Sequence, residues 1–201
     1  MRERLPATLP DDAFAVDVWP RASDFQLGGG KPKAEWLAKA RPAAVLAPIV
    51  ARETGLTVLL TLRAAEMRAH SGQIAFPGGK IDPGETARET ALRESHEEIG
   101  LEADYIEPLG WLDSYITGTG FRIAPLVALV RPGFSLTIND QEVAEVFETP
   151  LAFLMDVANH QLHEREWQGM TRKYYAMPHE GRYIWGATAG ILRNLYDRLF
   201  A

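Results

Sequence analysis

Three glutamates near the middle of the chain have the spacing of neighbours on one face of a helix. Glu94, Glu97 and Glu98 fall within roughly a third of the circumference of a helix that advances about 100° per residue. Like charges at this spacing repel one another, so we expect a positive partner to offset them. Mg²⁺ and Mn²⁺ are candidates, because both ions take oxygen ligands and bind substrate phosphates. The alternative is an acidic helix face that meets only solvent.

Local signals predict where the helix that carries these glutamates begins and ends. Thr86 and Glu89 have the spacing of a capping box. Gly100 stands where a left-handed residue commonly ends a helix. Ile99 points almost opposite to the glutamates, so we expect its side of the helix to face a core.

The residues around the glutamates match a family pattern. Gly79, Glu85 and the segment RESHEEIGL at 93–101 fit G-x5-E-x7-R-E-U-x-E-E-x-G-U, with Ser95 where an apolar or small residue is usual. This stretch resembles the Nudix box. The resemblance implies an α/β Nudix fold, in which a mixed β-sheet is sandwiched between α-helices. It also implies a hydrolase of nucleoside diphosphates linked to another moiety, dependent on Mg²⁺ or Mn²⁺.

A second motif comes directly before the box. Residues 59–79 contain LLTLRA, then Arg68, Gly72 and FPGG, in the order L-L-T-x-R-[SA]-x3-R-x3-G-x3-F-P-G-G. This resembles the additional motif of the coenzyme A pyrophosphatase branch of the Nudix family. Coenzyme A carries a 3′-phosphate besides its pyrophosphate, and guanidinium groups form charge-assisted hydrogen bonds with phosphates. We therefore predict that Arg63 and Arg68 bind substrate; the alternative for each arginine is a surface salt bridge.

The resemblance and the chemistry of the side chains together predict roles within the box. We expect Glu94 and Glu98 to hold the metal ion. We expect Glu97 either to add to the metal site or to orient the attacking water. Arg93 should pair with Glu85 or Glu97 and so fix the carboxylates during catalysis.

Further site residues lie beside the box and on a later loop. Gly78-Gly79 lets the backbone pass close to metal or phosphate, so we assign Gly78 to substrate binding. The resemblance suggests the backbone carbonyl of Gly79 as an additional metal ligand. Glu142 and Glu145 are candidates for a general base outside the box, and the alternative for both is ordinary solvent exposure.

These residues predict hydrolysis of the pyrophosphate of coenzyme A or of its thioesters. The products would be 3′,5′-ADP and 4′-phosphopantetheine or its acylated form. One alternative is a Nudix hydrolase of ADP-ribose, a dinucleotide or a nucleoside triphosphate. Another is a non-catalytic module that binds a nucleotide, which the retained glutamates of the box disfavour.

Composition limits the kind of protein and its partners. The 201 residues are 46% hydrophobic and 24% charged, which is typical of one soluble domain with a core. The net charge is −6 and we find no basic stripe, so we expect a small-molecule substrate and no nucleic acid. No apolar run reaches the roughly 18 residues of a membrane span. The N-terminus lacks the apolar segment of a secretory signal and the chain has no cysteine, which fits a cytoplasmic protein.

Turn residues divide the chain into two parts. Prolines and three consecutive glycines interrupt residues 1–40, which we interpret as an N-terminal appendage to a Nudix hydrolase domain at 41–201. We expect the appendage to be a packing arm or the contact of a homodimer. The predicted elements are helical pieces at 13–19 and 33–40, strands at 43–50, 57–62, 105–115, 121–130 and 143–147, a helix at 150–156, a hairpin of 172–177 with 182–185, and a helix from 187.

Two details of these predictions depend on single residues. Pro48 predicts that its strand lies at an edge or carries a bulge, because proline cannot donate to a sheet. Thr149 and Pro150 predict the N-cap and the first residue of the helix at 150–156. Tyr174 and Trp185 could stack an adenine or line a channel for pantetheine, although aromatic residues in strands more often belong to a core or a sheet surface.

Overall fold

The computed structural model describes residues 1–15, 22–28, 34–65, 72–167 and 170–200. The strands are β1 (Ala22–Ser23), β2 (Arg41–Arg52), β3 (Gly55–Arg63), β4 (Ile74–Ala75), β5 (Gly78–Lys80), β6 (Ile106–Trp111), β7 (Tyr115–Ile116), β8 (Phe121–Val130), β9 (Val143–Pro150), β10 (Gln161–Trp167), β11 (Met170–His179) and β12 (Arg182–Trp185). The helices are α1 (Ala34–Ala38), α2 (Ala87–Ile99), α3 (Leu151–Leu154) and α4 (Gly186–Phe200), with short 3₁₀ turns at Arg2–Arg4, Gln26–Gly28, Ala103–Tyr105 and Val157–Asn159.

A mixed sheet forms the centre of the molecule. Its order is β1-β7-β8-β2-β3-β4, with β5 beside β2, β6 beside β8 and β9 beside β3. β2 and β8 are parallel, whereas β2 and β3, which contain the strands predicted at 43–50 and 57–62, form an antiparallel hairpin. A second sheet, β10-β11-β12, contains the predicted hairpin of β11 with β12.

Helices cover both faces of the central sheet. Ile99 of α2 packs on one face and Ile191 of α4 on the other. The two faces alternate along β3, because Leu59 belongs to the core under α2 and the next residue, Leu60, to the core under α4. Burying a leucine side chain stabilises the fold by about 1.5–3 kcal/mol, so this alternation fixes the strand register. The expected mixed sheet between helices is confirmed.

The edge position predicted from Pro48 is wrong, since β2 lies inside the sheet. Pro48 pairs with Ala128 of β8 on one side of the strand. On the other side, pairing with β5 ends at Val45 and pairing with β3 begins at Ile49. Pro48 lies in the gap between these partners, where no sheet hydrogen bond needs the N–H that proline lacks.

The predicted start of the helix at 150–156 is also wrong. The helix α3 begins at Leu151, with Pro150 as the residue before it and no side-chain cap. Pairing with β3 continues through Thr149 and Pro150, which keeps Thr149 extended and buried in β9. The sheet contact therefore takes precedence over the local capping signal.

The remaining differences concern the N-terminal half and the second sheet. The strand predicted at 105–115 is divided into β6 and β7, and β10 was not predicted. The helical piece predicted at 33–40 is present as α1, whereas most of the one predicted at 13–19 lies outside the described residues. Leu5 packs in the main core and β1 pairs in parallel with β7. Within the described ranges, no helix is both long and apolar enough to span a membrane.

Candidate active site

The helix α2 is held at both ends as its sequence predicts. The Glu89 backbone N–H donates to Thr86 Oγ1 over 3.2 Å, and the Thr86 backbone N–H donates to the Glu89 carboxylate over 2.8 Å. Gly100 ends the helix in the left-handed conformation, with φ 68° and ψ 20°. Caps of this kind contribute about 1 kcal/mol each and determine where the helix begins and ends.

Glu98 is the most buried carboxylate of the helix and lies against two elements that precede it. It is 2% exposed. Its Oε2 accepts a hydrogen bond from the Gly78 backbone N–H over 3.2 Å, and its Oε1 lies 3.6 Å from Arg63 Nη1. Burial raises the pKa of Glu98 to about 7, although the charge of Arg63 acts in the opposite direction.

Gly78 and Gly79 allow the strand β5 to pass between β2 and the helix. A Cβ on Gly79 would lie 2.7 Å from Glu94 Oε2, and one on Gly78 would lie 2.6 Å from the Cα of Val45. Gly78 also has a φ of 153°, which side chains other than glycine rarely adopt. Gly78 therefore lets β5 lie close against β2, and Gly79 brings the backbone into contact with the carboxylate of Glu94.

Arg93 joins the carboxylates of the box into one network. Its Nε and Nη2 donate to Glu85 over 2.8 and 3.0 Å, and its Nη1 donates to Glu94 over 3.0 Å and to Glu97 over 2.8 Å. Arg93 thus contacts both residues named as alternative partners, Glu85 and Glu97. Its hydrogen bonds lower the pKa of Glu85 to about 2. The bidentate contact with Glu85 fixes the guanidinium of Arg93, and Arg93 in turn orients Glu94, which lines the cleft.

The donor set fits a hard divalent cation. Glu98 is buried and Glu94 is half-buried, and burial raises the pKa of each of them. Among the described residues, no group of three or more histidine, cysteine, aspartate or glutamate side chains could hold a metal ion. Two carboxylates suffice for Mg²⁺, which commonly keeps several waters and binds substrate phosphates as well. A cation here would relieve the mutual repulsion that these buried carboxylates experience.

A cleft of about 780 Å³ opens beside the two buried glutamates. Arg93 and Glu97 are not among its lining residues, and the Glu97 side chain is 54% exposed. Arg68 lies outside the described residues. The predicted site residues that line the cleft are Arg63, Gly78, Gly79, Glu94, Glu98 and Glu142.

The two candidates for a general base differ in position. Glu142 lines the cleft, and its charge raises the pKa of both Glu94 and Glu98. Asn139 Nδ2 donates a hydrogen bond to Glu142 Oε1 over 3.4 Å. Glu145 instead forms an ion pair with Arg182 and is not a lining residue. Only Glu142 therefore shares the cleft with the buried carboxylates.

Several lining residues were not assigned to the site from the sequence. Arg165, Arg172, Tyr174 and Trp185 reach the cleft from the second sheet. Arg165 was missed because β10 was not predicted. The signal that could have found it is the alternation of basic and aromatic residues with a period of two along 161–167 and 170–179.

The segment around β1 also reaches the cleft. Asp24 is a lining residue whose Oδ1 accepts a hydrogen bond from the Tyr115 hydroxyl over 2.7 Å. Its Oδ2 accepts one from the Gly118 backbone N–H over 2.6 Å. Burial, with a further contribution from Asp24, raises the pKa of Tyr115. Asp24 thus attaches the turn between β7 and β8 to the N-terminal part of the chain.

Comparison with known proteins identifies the family of the chain. The family model described as the NUDIX domain matches residues 40–171. An uncharacterized Nudix hydrolase NudL of Yersinia enterocolitica is 39% identical over 178 residues, which cover 88% of this chain and 90% of that protein. A second NudL, of Yersinia pestis, is 40% identical over 160 residues, or 79% of this chain and 80% of the other.

Solved structures share the architecture at lower sequence identity. The Nudix hydrolase RenU from M. smegmatis is 20% identical with a TM-score of 0.55, covering 79% of this chain and 84% of its own. A MutT/nudix family protein from Enterococcus faecalis is 19% identical with a TM-score of 0.51, covering 88% and 72%. These two structures support the fold, and the family model and the two relatives show that the chain belongs to the Nudix family.

Proposed function

We propose that the protein hydrolyses the pyrophosphate bond of coenzyme A or of its thioesters. The products are 3′,5′-ADP and 4′-phosphopantetheine or its acylated form. Membership of the Nudix family supports the coarser statement, which is hydrolysis of a nucleoside diphosphate derivative with a divalent metal ion. The choice of coenzyme A rests on the motif at 59–79 and on the lining of the cleft.

The observation that carries this choice is the apolar wall beside the carboxylates. Ile74, Phe76, Ile123 and Ile191 line the same cleft as Glu94 and Glu98. An uncharged pantetheine arm loses little when it is buried against such side chains. The second ribose of ADP-ribose would bury hydroxyl groups there, at a cost of about 1–3 kcal/mol for each one left without a partner.

Arg63 supports the assignment from its position beside the carboxylate of Glu98. It belongs to the motif before the box and lies 3.6 Å from the carboxylate of Glu98. This position favours a contact with the pyrophosphate rather than with a phosphate farther along the nucleotide. A guanidinium there neutralises negative charge that develops on the phosphate oxygens during cleavage.

The roles of the chain's own residues follow from their positions. Glu94 and Glu98 would hold Mg²⁺ or Mn²⁺, with the Gly79 carbonyl as a further candidate ligand. A bound ion supplies positive charge to the pyrophosphate and acidifies a water molecule. Glu142 accepts the proton of the attacking water from its loop at the side of the cleft. Arg93 acts through Glu94 and Glu97, whose carboxylates it orients.

The test is a comparison of substrates with each metal. The purified protein is assayed with coenzyme A, acetyl-coenzyme A, ADP-ribose and a dinucleotide, in Mg²⁺ and in Mn²⁺, with products separated by chromatography. We expect the highest kcat/KM with a coenzyme A substrate and the release of 3′,5′-ADP. A higher kcat/KM with ADP-ribose would refute the substrate assignment. Turnover that Glu98→Gln leaves unchanged would refute the assigned roles of the box.

A further inference from the structure

One face of the second sheet carries basic and aromatic side chains that point into the cleft. The register of β10 with β11 pairs His163 with Tyr174 and Arg165 with Arg172. Directly opposed residues of antiparallel strands project from the same face, and Trp185 of β12 joins them in the same alternation. We call these five residues the arginine–aromatic face. All of its members except His163 line the cleft.

The two arginines of this face lie directly opposite each other on neighbouring strands. Like charges directly opposite on neighbouring strands destabilise a sheet. Arg172 lies with its guanidinium 5.5 Å from the ring centre of Phe25 and close to the backbone of Gly118. Within the part of the chain that the structure describes, no carboxylate forms an ion pair with Arg165. An anion held between the two guanidinium groups would form charge-assisted hydrogen bonds with both of them.

The rings beside these arginines provide a surface for a planar base. The ring centres of Tyr174 and Trp185 are 5.3 Å apart with an angle of 65° between the planes, and both residues line the cleft. His163 stacks on Tyr174 with ring centres 5.8 Å apart and an angle of 20° between the planes, so a nucleobase would stack on the other side of Tyr174 or on Trp185. The same face therefore combines a site for an anion with a site for a base.

A second positive group in the same cleft has a different position. Arg63 lies beside Glu98, where the pyrophosphate is expected, whereas Arg165 and Arg172 belong to the second sheet. A ligand that uses both ends must carry an anionic group besides its pyrophosphate, on the side of its base. A nucleoside diphosphate with a further phosphate on its ribose has this arrangement.

We propose that the arginine–aromatic face binds the phosphorylated nucleoside of the substrate, with the ribose phosphate between Arg165 and Arg172 and the base against Tyr174 and Trp185. This inference rests on the proposed function, because coenzyme A is the substrate whose ribose phosphate it places. It assigns the discrimination between coenzyme A and its dephosphorylated form to the second sheet. Arg63, in contrast, serves the pyrophosphate that both compounds share.

The kinetic test compares coenzyme A with 3′-dephospho-coenzyme A. Arg165→Gln and Arg172→Gln should each lower kcat/KM for coenzyme A roughly ten- to a hundredfold, as expected for the loss of a hydrogen bond between charged groups. Neither change should alter kcat/KM for the dephosphorylated compound by more than about twofold. Arg182→Gln is the matched control, because Arg182 lies on the same sheet but does not line the cleft. An equal loss on both substrates would overturn the proposal, as would no loss on either.

A binding test separates this inference from the proposed activity. Calorimetric titration of the metal-free protein with adenosine 3′,5′-bisphosphate and with AMP does not depend on turnover. We expect tighter binding of the bisphosphate, and we expect Arg165→Gln and Arg172→Gln to remove that preference. Tyr174→Leu should weaken both ligands by a similar factor, because both contain the base.

The two failures have different signatures in these experiments. If coenzyme A is not hydrolysed but the bisphosphate binds with an arginine-dependent preference, the proposed function fails and the subsite stands. If coenzyme A is hydrolysed but the wild type does not prefer the bisphosphate, the subsite is refuted. Thermal denaturation checks the folding of each variant, and exposed Arg165 decides the result if Arg172→Gln does not fold.

Discussion

Burial of Glu98 should make the metal-free protein less stable above neutral pH, and Glu98→Gln should remove this effect. The group has a pKa of 4.5 when unfolded and about 7 when folded, with burial as the largest cause. A raised carboxyl pKa means that folding favours the protonated form. The contribution of Glu98 to stability is therefore greatest below pH 4.5 and falls as pH rises to about 7, beyond which the loss is complete.

The size of the loss follows from the rise in pKa. A change from 4.5 to about 7 corresponds to about 3 kcal/mol, because one pKa unit is worth about 1.4 kcal/mol. Glutamine has nearly the shape of a protonated glutamate and its oxygen can still accept from the Gly78 N–H. In the presence of a chelator, the free energy of unfolding of Glu98→Gln minus that of wild type should thus be about 3 kcal/mol larger above the folded pKa of Glu98 than below its unfolded pKa.

The assay is urea denaturation, followed by tryptophan fluorescence, at a series of pH values in the presence of a chelator. Glu97→Gln is the matched control, since Glu97 is the neighbouring residue and its side chain is 54% exposed. The control should follow the pH dependence of the wild type. If Glu98→Gln also follows the wild type from acid to alkaline pH, burial does not raise the pKa of Glu98 and the reasoning fails. With Mg²⁺ added, wild type should gain stability and Glu98→Gln should not.

Three further perturbations test other contacts of the site. Gly79→Ala should lower kcat by a factor of about 10–100, because a Cβ there displaces the Glu94 carboxylate; unchanged kcat in a folded variant would contradict this. Glu85→Gln should destabilise the protein at pH 6, and the difference in stability from wild type should shrink as pH falls from 4.5 towards 2, because the folded pKa of Glu85 is lowered to about 2. Thermal denaturation across this pH window measures that difference. A difference that stays constant would mean that the pair with Arg93 contributes nothing. Asp24→Ala should lower the free energy of unfolding, measured by urea denaturation, by about 1–3 kcal/mol, since buried Tyr115 loses its hydrogen-bond acceptor. In the Tyr115→Phe background the same change should lower it by less, because the hydroxyl that needs the acceptor is gone.

The helix α2 could be predicted from the sequence because its signals are local. Thr86, Glu89 and Gly100 form their capping contacts with residues of the same helix, so their spacing alone indicates where it begins and ends. The position of Pro48 could not be predicted in this way. It depends on where β5 stops and β3 starts along the other side of β2, and those limits involve residues far away in the chain.

The arginine–aromatic face was hidden for a related reason. Arg165 and Arg172 are opposed only because β10 and β11 pair in one particular register. A shift of that register by one residue would turn each arginine away from its present partner. The sequence shows two arginines in a polar stretch, and only the pairing turns them into a candidate site for an anion.

The contrast between Glu97 and Glu98 shows what a motif can and cannot specify. The two glutamates are adjacent in the same helix, yet one is half exposed and bound to Arg93 while the other is buried against Gly78 and Arg63. The two side chains point about 100° apart around the helix, so one meets solvent and the other the cleft. Only the approach of β5 buries the side that carries Glu98. Burying a carboxylate is unfavourable by itself, so this arrangement lowers the stability of the metal-free protein. A divalent cation bound at Glu98, as we propose, would offset that loss, because the low dielectric that destabilises a lone carboxylate strengthens its attraction to a cation.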